Sequence, residues 1–410
     1  MLLSFEQALA TVKEKLGEAN LNPATEMLPL DQIGGRVLAE DVLADRDYPP
    51  FNRSIRDGFA VRSADVSGAP VTLECLGEVR AGECSPSAVG LGECVEIMTG
   101  APLPTGADAV VMIEHVRVQG SRVGISRAVA PHENVVRRAT EATEESVVLP
   151  RGRRVGTGEA GLLASVGRAL VKAFPRPRVA ILPTGDEVVP FDQLPGPFQI
   201  RNSNAVTLAA QVVAAGGVPW QLGIAPDEKK VLLSLVEKGL ESDLLLLSGG
   251  VSMGKYDFVG QVLRELGGEF FIQGVAIRPG KPLVFGRVRE KFFFGLPGNP
   301  VSTFVTFELF VRPAMAMLGG AQFESPIFLR ACLGRPHRQK LGLTAFMPAR
   351  VEVQNGEPVV NLVGWQGSGD LVGVAAANCF LVIHPQQTDL AAGDWVDVMP
   401  KEQGQVTSAK

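Results

Sequence analysis

Basic residues are not in excess in this chain, and cysteine is scarce. The 410 residues contain 39 Lys and Arg against 44 Asp and Glu, which gives a formal net charge of −5. A mildly acidic chain lacks the electrostatic footprint of a general nucleic-acid-binding protein, so no nucleic-acid partner is expected. The five cysteines include no Cys-x-x-Cys pair. We therefore expect no structural zinc and a reducing cytoplasmic environment.

The sequence also gives no reason to expect a secretory leader or a membrane-spanning segment. Residues 1–6 contain no basic region and reach an acid at once, so no signal peptide is expected. The uncharged stretch 202–226 could span a bilayer by its length. It contains polar residues, a Gly216-Gly217 pair and Pro219, so a small-residue helix followed by a buried strand fits it better. The sequence predicts a soluble cytoplasmic protein without membrane association.

Turn-forming residues are abundant, with 46 Gly and 29 Pro, and they divide the chain into regions of different pattern. Ser4 and Gln7 form a capping box at the start of a helix. Short alternating apolar runs between about residues 36 and 154 indicate a β-rich module. Strands and helices then alternate, which predicts an open, mostly parallel α/β sheet with helices on both sides. After Gly319-Gly320 the pattern returns to short β segments.

Three predicted strands of the α/β region run directly into glycine-rich loops. The loops begin after residues 182, 247 and 294 and carry the sequences PTGDE, SGGVSMGKYD and GLPGNPVS. Ligands of open α/β sheets bind beyond the carboxyl ends of the strands, and helix starts hold anions well. Three such loops on one sheet edge indicate a phosphate-bearing ligand, although each loop alone could be a turn.

Two generic nucleotide motifs occur in the chain. Residues 249–255 match G-x-x-x-x-G-K, but Tyr256 stands where a P-loop has the Ser or Thr that binds Mg²⁺. A P-loop-like NTPase is therefore a less favoured alternative. Residues 156–161 match G-x-G-x-x-G but follow a basic run, where a dinucleotide fold needs a buried strand. A helix start explains this second match.

Acidic residues are expected to gather at the same sheet edge. Glu187, Asp227 and Asp257 each follow or flank one of these strands. Two unit charges 4 Å apart repel by roughly 4 kcal/mol at an effective dielectric of 20, so the group needs a cation, and Mg²⁺ suits oxygen ligands. Plain N-capping of a helix is the alternative for Asp227. The loop from Arg278 to Pro282 offers cations to an oxyanion, or is simply a proline-pinned turn.

Several motifs in the same order resemble one family. They are SIRDGFA at 54–60, MTGAP at 98–102, TGDE at 184–187, SGGVSMG at 248–254, PGKP at 279–282 and GLPGNPVS at 295–302. Together they resemble the molybdopterin molybdenumtransferases, which include the bacterial MoeA proteins and the E domain of gephyrin. The resemblance extends over nearly the whole chain.

The resemblance implies a multi-domain α/β plus β fold that dimerises. The expected parts are an amino-terminal linker region (1–45 and 146–175), an inserted β-rich module (46–145), a molybdopterin-binding α/β domain (176–320) and a small carboxy-terminal β-barrel (326–402). The implied reaction takes adenylylated molybdopterin and molybdate, releases AMP with Mg²⁺, and inserts molybdenum at the dithiolene sulfurs. The implied protein partners are the pterin-adenylylating protein and recipient molybdoenzymes. A molybdopterin-binding or scaffold paralog that inserts no metal is the alternative.

The family's site residues map onto matching positions of this chain. Asp57 and Thr99 match residues that reach the pocket from the partner subunit. Glu187, Asp227 and Asp257 match acidic catalytic residues, and Glu187 and Asp257 are the expected Mg²⁺ ligands. The expected contacts of the pterin and molybdate are Arg137, Ser252, Arg278, Lys281, Pro282, Pro297, Asn299, Ser302 and Ser368.

The chain departs from the family pattern at three positions. Leu343 stands where many members have an arginine, and Gly274 stands where a lysine is common. Glu141 occupies the place of an aspartate. Lys340 or Arg350 could supply the charge that Leu343 lacks. These departures concern the molybdate site and leave the expected fold unchanged.

Overall fold

The computed structural model describes residues 2–19, 21, 23–83, 87–250, 258–340 and 342–401. The amino-terminal part is β-rich after a first helix. Its helices are α1 (Phe5–Glu18), α2 (Ser63–Val66) and α3 (Thr157–Ser165), with 3-10 turns at Leu30–Gln32 and Ile113–His115. Its strands are β1 (Glu26–Pro29), β2 (Val37–Leu38), β3 (Val42–Leu43), β4 (Arg53–Ser54), β5 (Gly58–Val61), β6 (Val71–Val79), β7 (Glu93–Ile97), β8 (Ala109–Met112), β9 (Val116–Gln119), β10 (Arg122–Ile125), β11 (Val135–Val136), β12 (Val147–Leu149) and β13 (Leu170–Phe174).

The predicted capping box at the start of α1 is confirmed. The backbone N–H of Gln7 donates to Ser4 Oγ at 3.2 Å, and the N–H of Ser4 donates to Gln7 Oε1 at 2.9 Å. Ala8, Val12 and Leu16 lie on one face of the helix and are buried. This face joins the hydrophobic core of the central sheet, so the first helix belongs structurally to the middle of the molecule.

Pairing between distant strands divides the amino-terminal part into separate sheets. One six-stranded sheet has the order β8-β5-β7-β6-β10-β9. The strands on either side of it in sequence pair with each other instead, in the order β1-β13-β2 and in the pair β3-β12. The chain therefore leaves a small β structure, forms a module and returns, as a discontinuous linker region requires. The domain boundaries themselves stay a prediction.

The central part alternates strands and helices. Its helices are α4 (Ser203–Ala214), α5 (Lys229–Gly239), α6 (Phe258–Glu265), α7 (Pro300–Thr306) and α8 (Arg312–Leu318), with a π-helical turn at Phe307–Val311. Its strands are β14 (Arg178–Pro183), β15 (Val188–Val189), β16 (Ile200–Arg201), β17 (Val218–Gln221), β18 (Leu244–Ser248), β19 (Glu269–Gln273), β20 (Ile277–Arg278), β21 (Val284–Val288) and β22 (Lys291–Leu296).

The central sheet has the order β17-β14-β18-β22-β21-β19. The first four strands run parallel, whereas β21 is antiparallel to β22 and β19 is antiparallel to β21. Strand β18 is buried along its whole length, with Leu244 and Leu246 in the core on one face and Leu245 and Leu247 in the core on the other. The predicted helix within 202–226 is confirmed as α4. The buried strand expected after it is wrong, because β17 lies at the sheet edge and is partly exposed.

One apolar helical stretch lies deep inside the protein. Among the described residues, Pro300–Leu318 is long and apolar enough to cross a membrane, but 78% of its apolar window is buried. The side chains of Phe307 and Phe310 are fully covered by the protein. This stretch therefore packs as the central helix of a folded core.

The carboxy-terminal part is a small barrel. Its elements are β23 (Leu329–Leu333), β24 (His337–Arg338), β25 (Thr344–Gln354), β26 (Glu357–Leu362), α9 (Leu371–Ala376), β27 (Cys379–Ile383), β28 (Asp389–Leu390) and β29 (Trp395–Pro400). Strands β25, β26, β23, β29 and β27 pair in that order, and β27 pairs back to β25, which closes a five-stranded ring. The small β-barrel expected from the sequence is confirmed.

Candidate functional site

The loops that the sequence singled out meet at one edge of the central sheet. Strands β17, β14, β18 and β22 are parallel, so their carboxyl ends share an edge. Strand β21 runs the opposite way, and Val284 near its start pairs with Gly295 near the end of β22. The loop 274–283, which precedes β21, therefore lies at the same edge. Strand direction alone brings the acidic, glycine-rich and basic loops together.

Three acidic residues cluster beyond β14 and β17. The backbone N–H of Asp227 donates to Asp186 Oδ1 at 3.0 Å, and the Glu187 carboxylate folds back over Gly185, which has φ 131°. Partial burial, and then the charges of Asp186 and Glu187, raise the pKa of Asp227. Helix α5 has Glu228 as its N-cap, and no side-chain cap bond forms there among the described residues, so the N-capping alternative for Asp227 is wrong.

Asn204 links the loops after β18 and β22. Its side-chain amide donates to Ser248 Oγ at 2.8 Å and to the Gly298 carbonyl at 2.7 Å. The backbone N–H of Gly249 donates to the Leu296 carbonyl at 3.2 Å, which holds the same two loops together. Among the described residues, the middle of the sheet edge is therefore a surface of backbone and amide groups without charge.

The barrel contributes one residue to this surface. Asn299 donates from its side-chain amide to Ser368 Oγ at 2.8 Å, and the Val301 N–H donates to the Ser368 carbonyl at 2.9 Å. Ser302 is buried in α7, and the Thr303 hydroxyl donates to the Pro297 carbonyl at 2.5 Å. The predicted ligand contacts Pro297, Asn299, Ser302 and Ser368 therefore lie together.

The basic loop is held by two backbone hydrogen bonds of Ala276 while its cations remain exposed. The Ala276 N–H donates to the Leu3 carbonyl at 2.8 Å, and the Thr344 N–H donates to the Ala276 carbonyl at 3.0 Å. Arg278, Lys281 and the adjacent Pro282 are exposed. Neither cation has an ion pair with any described residue. This loop offers two uncompensated positive charges at the sheet edge.

Asp57 and Thr99 form a hydrogen-bonded pair in the amino-terminal module. Asp57 Oδ1 accepts from the Thr99 backbone N–H at 2.7 Å and from the Thr99 hydroxyl at 2.8 Å. These two bonds, the backbone one first, lower the pKa of Asp57. Within the described part of the chain, no hydrogen bond or ion pair joins either residue to the sheet edge. The Asp57 carboxylate is held by Thr99 and is exposed, but it belongs to the amino-terminal module and not to the sheet edge.

Arg137 and the residues around it also lie on the amino-terminal module. The Arg137 guanidinium is exposed, and its carbonyl accepts from the Thr140 hydroxyl at 2.8 Å. Glu141 is paired with Arg53 at 3.0 Å. Arg138 binds Asp47, so Arg137 is the arginine of this segment whose guanidinium has no partner among the described residues.

The structure thus brings together most, but not all, of the predicted site residues. Ser252 and Asp257 lie outside the described residues, as do Lys255 and Tyr256 of the P-loop-like match. Among the residues that are described, no group of three or more His, Cys, Asp or Glu side chains could hold a metal ion.

Three positioning residues were missed by the sequence analysis, namely Asp186, Asn204 and Ser248. Asp186 and Ser248 fall within the TGDE and SGGVSMG motifs but were given no role, and Asn204 is signalled only by its place at a helix start.

The fold and the edge site define a class of multi-domain protein with a central ligand-binding α/β domain and a terminal barrel. A solved structure of the molybdopterin biosynthesis moeA protein from Pyrococcus horikoshii OT3 has this fold, with a TM-score of 0.80 and 29% identity over 98% of this chain and 100% of that one. A second moeA structure from Pyrococcus horikosii gives a TM-score of 0.73 with 32% identity and the same coverage of both chains.

The whole chain is also similar to known families and curated proteins. Residues 3–167 match the MoeA N-terminal region (domain I and II), 180–317 the "Probable molybdopterin binding domain" and 330–401 the MoeA C-terminal region (domain IV). The molybdopterin molybdenumtransferase of Bacillus subtilis (strain 168) is 35% identical over 92% of this chain and 89% of its own length. That of a Nostoc species is 35% identical over 92% of this chain and 88% of its own length. This chain belongs to the MoeA family of molybdopterin molybdenumtransferases, as the motifs predicted.

Proposed function

We propose that this protein inserts molybdenum from molybdate into adenylylated molybdopterin and releases AMP. The observation that carries the proposal is the order of charge along the sheet edge. The acids follow β14 and β17, the described loop residues after β18 and β22 (249–250 and 297–299) carry no charge, and the cations lie between β19 and β21. With strands about 4.8 Å apart, three spacings separate β14 from β21 by about 14 Å. One extended substrate can contact both ends.

Molybdate is assigned to the basic end of the edge. A tetrahedral dianion gains charge-assisted hydrogen bonds from Arg278 and Lys281 and would be repelled by the carboxylates. The hydroxyl of Ser368 lies beside Asn299, next to the loops after β18 and β22. The pterin then spans those loops, and its pyrophosphate link lies towards Asp186, Glu187 and Asp227.

Mg²⁺ is assigned to the acidic end. Partial burial and the charges of Asp186 and Glu187 raise the pKa of Asp227, so a cation beside these groups would relieve an unfavourable charge, and oxygen ligands suit this ion. Glu187 and Asp227 would hold it, together with Asp257, which lies outside the described residues. When bound, Mg²⁺ supplies charge neutralisation between carboxylate and phosphate oxygens. The protein's own residues position the phosphate and keep the oxyanion at the opposite end.

Asp57 and Thr99 are proposed to act on the site of a second copy in a homodimer. Both residues are exposed, and their hydrogen bonds stay within the amino-terminal module. Large apolar side chains are exposed on the loop that follows Glu187, including Leu194 at 89% and Phe198 at 93%. Such surfaces are typical of protein interfaces. A second copy would cover them and complete the pocket.

The remaining features of the proposal concern the cellular setting. A cytoplasmic protein of this kind would receive its substrate from the pterin-adenylylating protein and pass its product to recipient molybdoenzymes. Direct contact with both kinds of protein is part of the proposal.

The test is AMP release from adenylylated molybdopterin with Mg²⁺, measured with and without molybdate. Molybdate-stimulated release with metal retained on the pterin is the expected result. Lys281→Ala should raise the half-saturating molybdate concentration at least tenfold. Arg122→Ala, which removes an exposed arginine of β10 with no ion pair to a described residue, should leave it unchanged. Equal AMP release by the wild-type protein with and without molybdate would overturn the proposal.

A pterin-binding paralog that inserts no metal is the second candidate, and the departures at the basic end favour it. Arg350 is poorly placed to replace the charge missing at Leu343, because it lies six residues along β25 from Thr344, which is about 20 Å in an extended strand, and it is paired with Glu352 at 2.8 Å. Lys340 is the remaining candidate for that role. Tight pterin binding without molybdate-stimulated AMP release would identify this second function.

A further inference from the structure

Thr184, the residue directly after β14, has a buried hydroxyl with no hydrogen-bond partner among the described residues. The residue is 4% exposed, and Oγ1 is covered by protein. Its backbone N–H is engaged, since it donates to the Ser248 carbonyl at 2.9 Å. Buried polar groups are nearly always paired, so an unpaired one in a native fold requires an explanation. A valine would fill the same space without leaving a buried polar group unpaired.

The hydroxyl lies where loops from neighbouring strands meet. A Cβ built on Gly250 would be 2.7 Å from Thr184 Oγ1, and one built on Gly249 would be 2.7 Å from the Thr184 carbonyl oxygen. Both glycines have positive φ, at 62° and 92°. Gly298 approaches from the other side, because its Cβ would be 3.6 Å from the Gly249 Cα. The hydroxyl is therefore central to the sheet edge, and the loop next to it approaches closely because these positions carry no side chain.

We propose that Thr184 is a substrate-binding residue whose hydroxyl donates to an oxyanion oxygen of the phosphorylated pterin. The assignment rests on the proposed function and adds a residue to the same site. Access of the ligand to the covered hydroxyl requires a change in the backbone of Gly249 and Gly250, which have no Cβ to restrict their torsions. A phosphate oxygen is the fitting partner, because a hydroxyl that donates to an anionic oxygen forms a charge-assisted hydrogen bond.

A purely structural role for Thr184 makes the opposite prediction about stability. If the side chain served packing or hydrogen bonding within the fold, replacing it should lower the stability of the protein. Removing an unpaired buried hydroxyl while keeping its shape should be neutral or stabilising. If the hydroxyl is kept for the substrate, Thr184→Val therefore strengthens the fold and weakens binding at the same time.

The experiment compares Thr184→Val and Thr184→Ser with Ser242→Ala as a matched control. Ser242 is 1% exposed at the opposite edge of the sheet, and its hydroxyl is bonded at 2.6 Å to the Gly239 carbonyl and at 2.8 Å to the Leu244 carbonyl. Molybdopterin binding is measured by anaerobic calorimetry, and stability by the urea midpoint. We expect Thr184→Val to raise Kd at least tenfold with an equal or higher midpoint, and Thr184→Ser to bind within about threefold of wild type. Ser242→Ala should lower the midpoint and leave Kd unchanged.

The outcomes separate this assignment from the proposed function. Wild-type binding together with unchanged binding by Thr184→Val overturns the assignment alone. A lower urea midpoint for Thr184→Val also overturns it, because the hydroxyl would then serve the fold. A wild-type protein that does not bind molybdopterin overturns the proposed function and this assignment with it.

Discussion

Gly58→Ala tests whether the β5–β8 pairing positions Asp57. A Cβ built on Gly58 of β5 would be 2.0 Å from the backbone carbonyl oxygen of Val111 on the adjacent strand β8. Real Cβ contacts are essentially never closer than 3.0 Å, so the strands must separate by about 1 Å. Overpacking of this kind costs about 1–3 kcal/mol, and it moves the residue that precedes Gly58.

Gly68→Ala is the matched control for this prediction. Gly68 lies in the same module, and a Cβ added there would have no described atom within 4 Å and no positive φ to strain it. Alanine at this position should therefore be neutral or stabilising by about 0.4–1 kcal/mol. Urea unfolding and hydrogen exchange of β5 and β8 measure the difference, and AMP release measures the displacement of Asp57. Equal stability and equal exchange in the two variants would refute the steric argument.

Three further changes test the charges and the core. Asp227→Asn should stabilise the ligand-free protein by less than about 1 kcal/mol after solvent screening, and the gain should shrink when Mg²⁺ is added. Because the folded-state pKa of Asp227 is raised, the wild-type protein loses stability as the pH rises through that pKa. The stabilising effect of Asp227→Asn should therefore be largest in urea titrations near neutral pH. Thr99→Val removes one of the two bonds that lower the pKa of Asp57, so this pKa should rise in an NMR titration, and the stability lost as the pH falls through it should be smaller than in the wild-type protein. Glu308→Ala should cost about 3 kcal/mol in urea unfolding, because it removes a buried carboxylate bonded to Arg312 at 2.5 and 3.1 Å.

Local patterns predicted the elements of this fold, and distant pairings were beyond them. The capping box at Ser4 and the continuously apolar β18 are encoded in a few neighbouring residues. The return of the chain from β13 to pair with β1 and β2 depends on residues more than 130 positions apart, which no local period reports. The direction of β21 was equally hidden, because alternation of apolar residues is the same in both directions.

The candidate site was predictable to the extent that it follows from strand direction. Parallel strands place their carboxyl ends at one edge, so the alternating pattern of the chain is enough to expect Glu187 and Asp227 together. The role of Asn204 could not be predicted, because its amide bonds to Ser248 and Gly298, which come from other loops. The unpaired state of Thr184 was hidden for the same reason, since pairing of a hydroxyl is a property of the three-dimensional surroundings.

The separation of charge along the sheet edge explains why the fold can hold carboxylates and cations without neutralising them against each other. At about 14 Å, a pair of opposite charges is farther apart than the Debye length of about 8 Å at physiological ionic strength, so exposed groups are largely screened. Arg278 and Lys281 therefore keep their charge available for an anion, and Asp227 keeps its repulsion with Asp186 and Glu187. The residues that Asn204 holds together, Ser248 and Gly298, lie between the two charged groups and carry no charge. Shortening that spacing would join the two groups into ion pairs, which would stabilise the free protein and remove the reason for it to bind either a metal ion or an oxyanion.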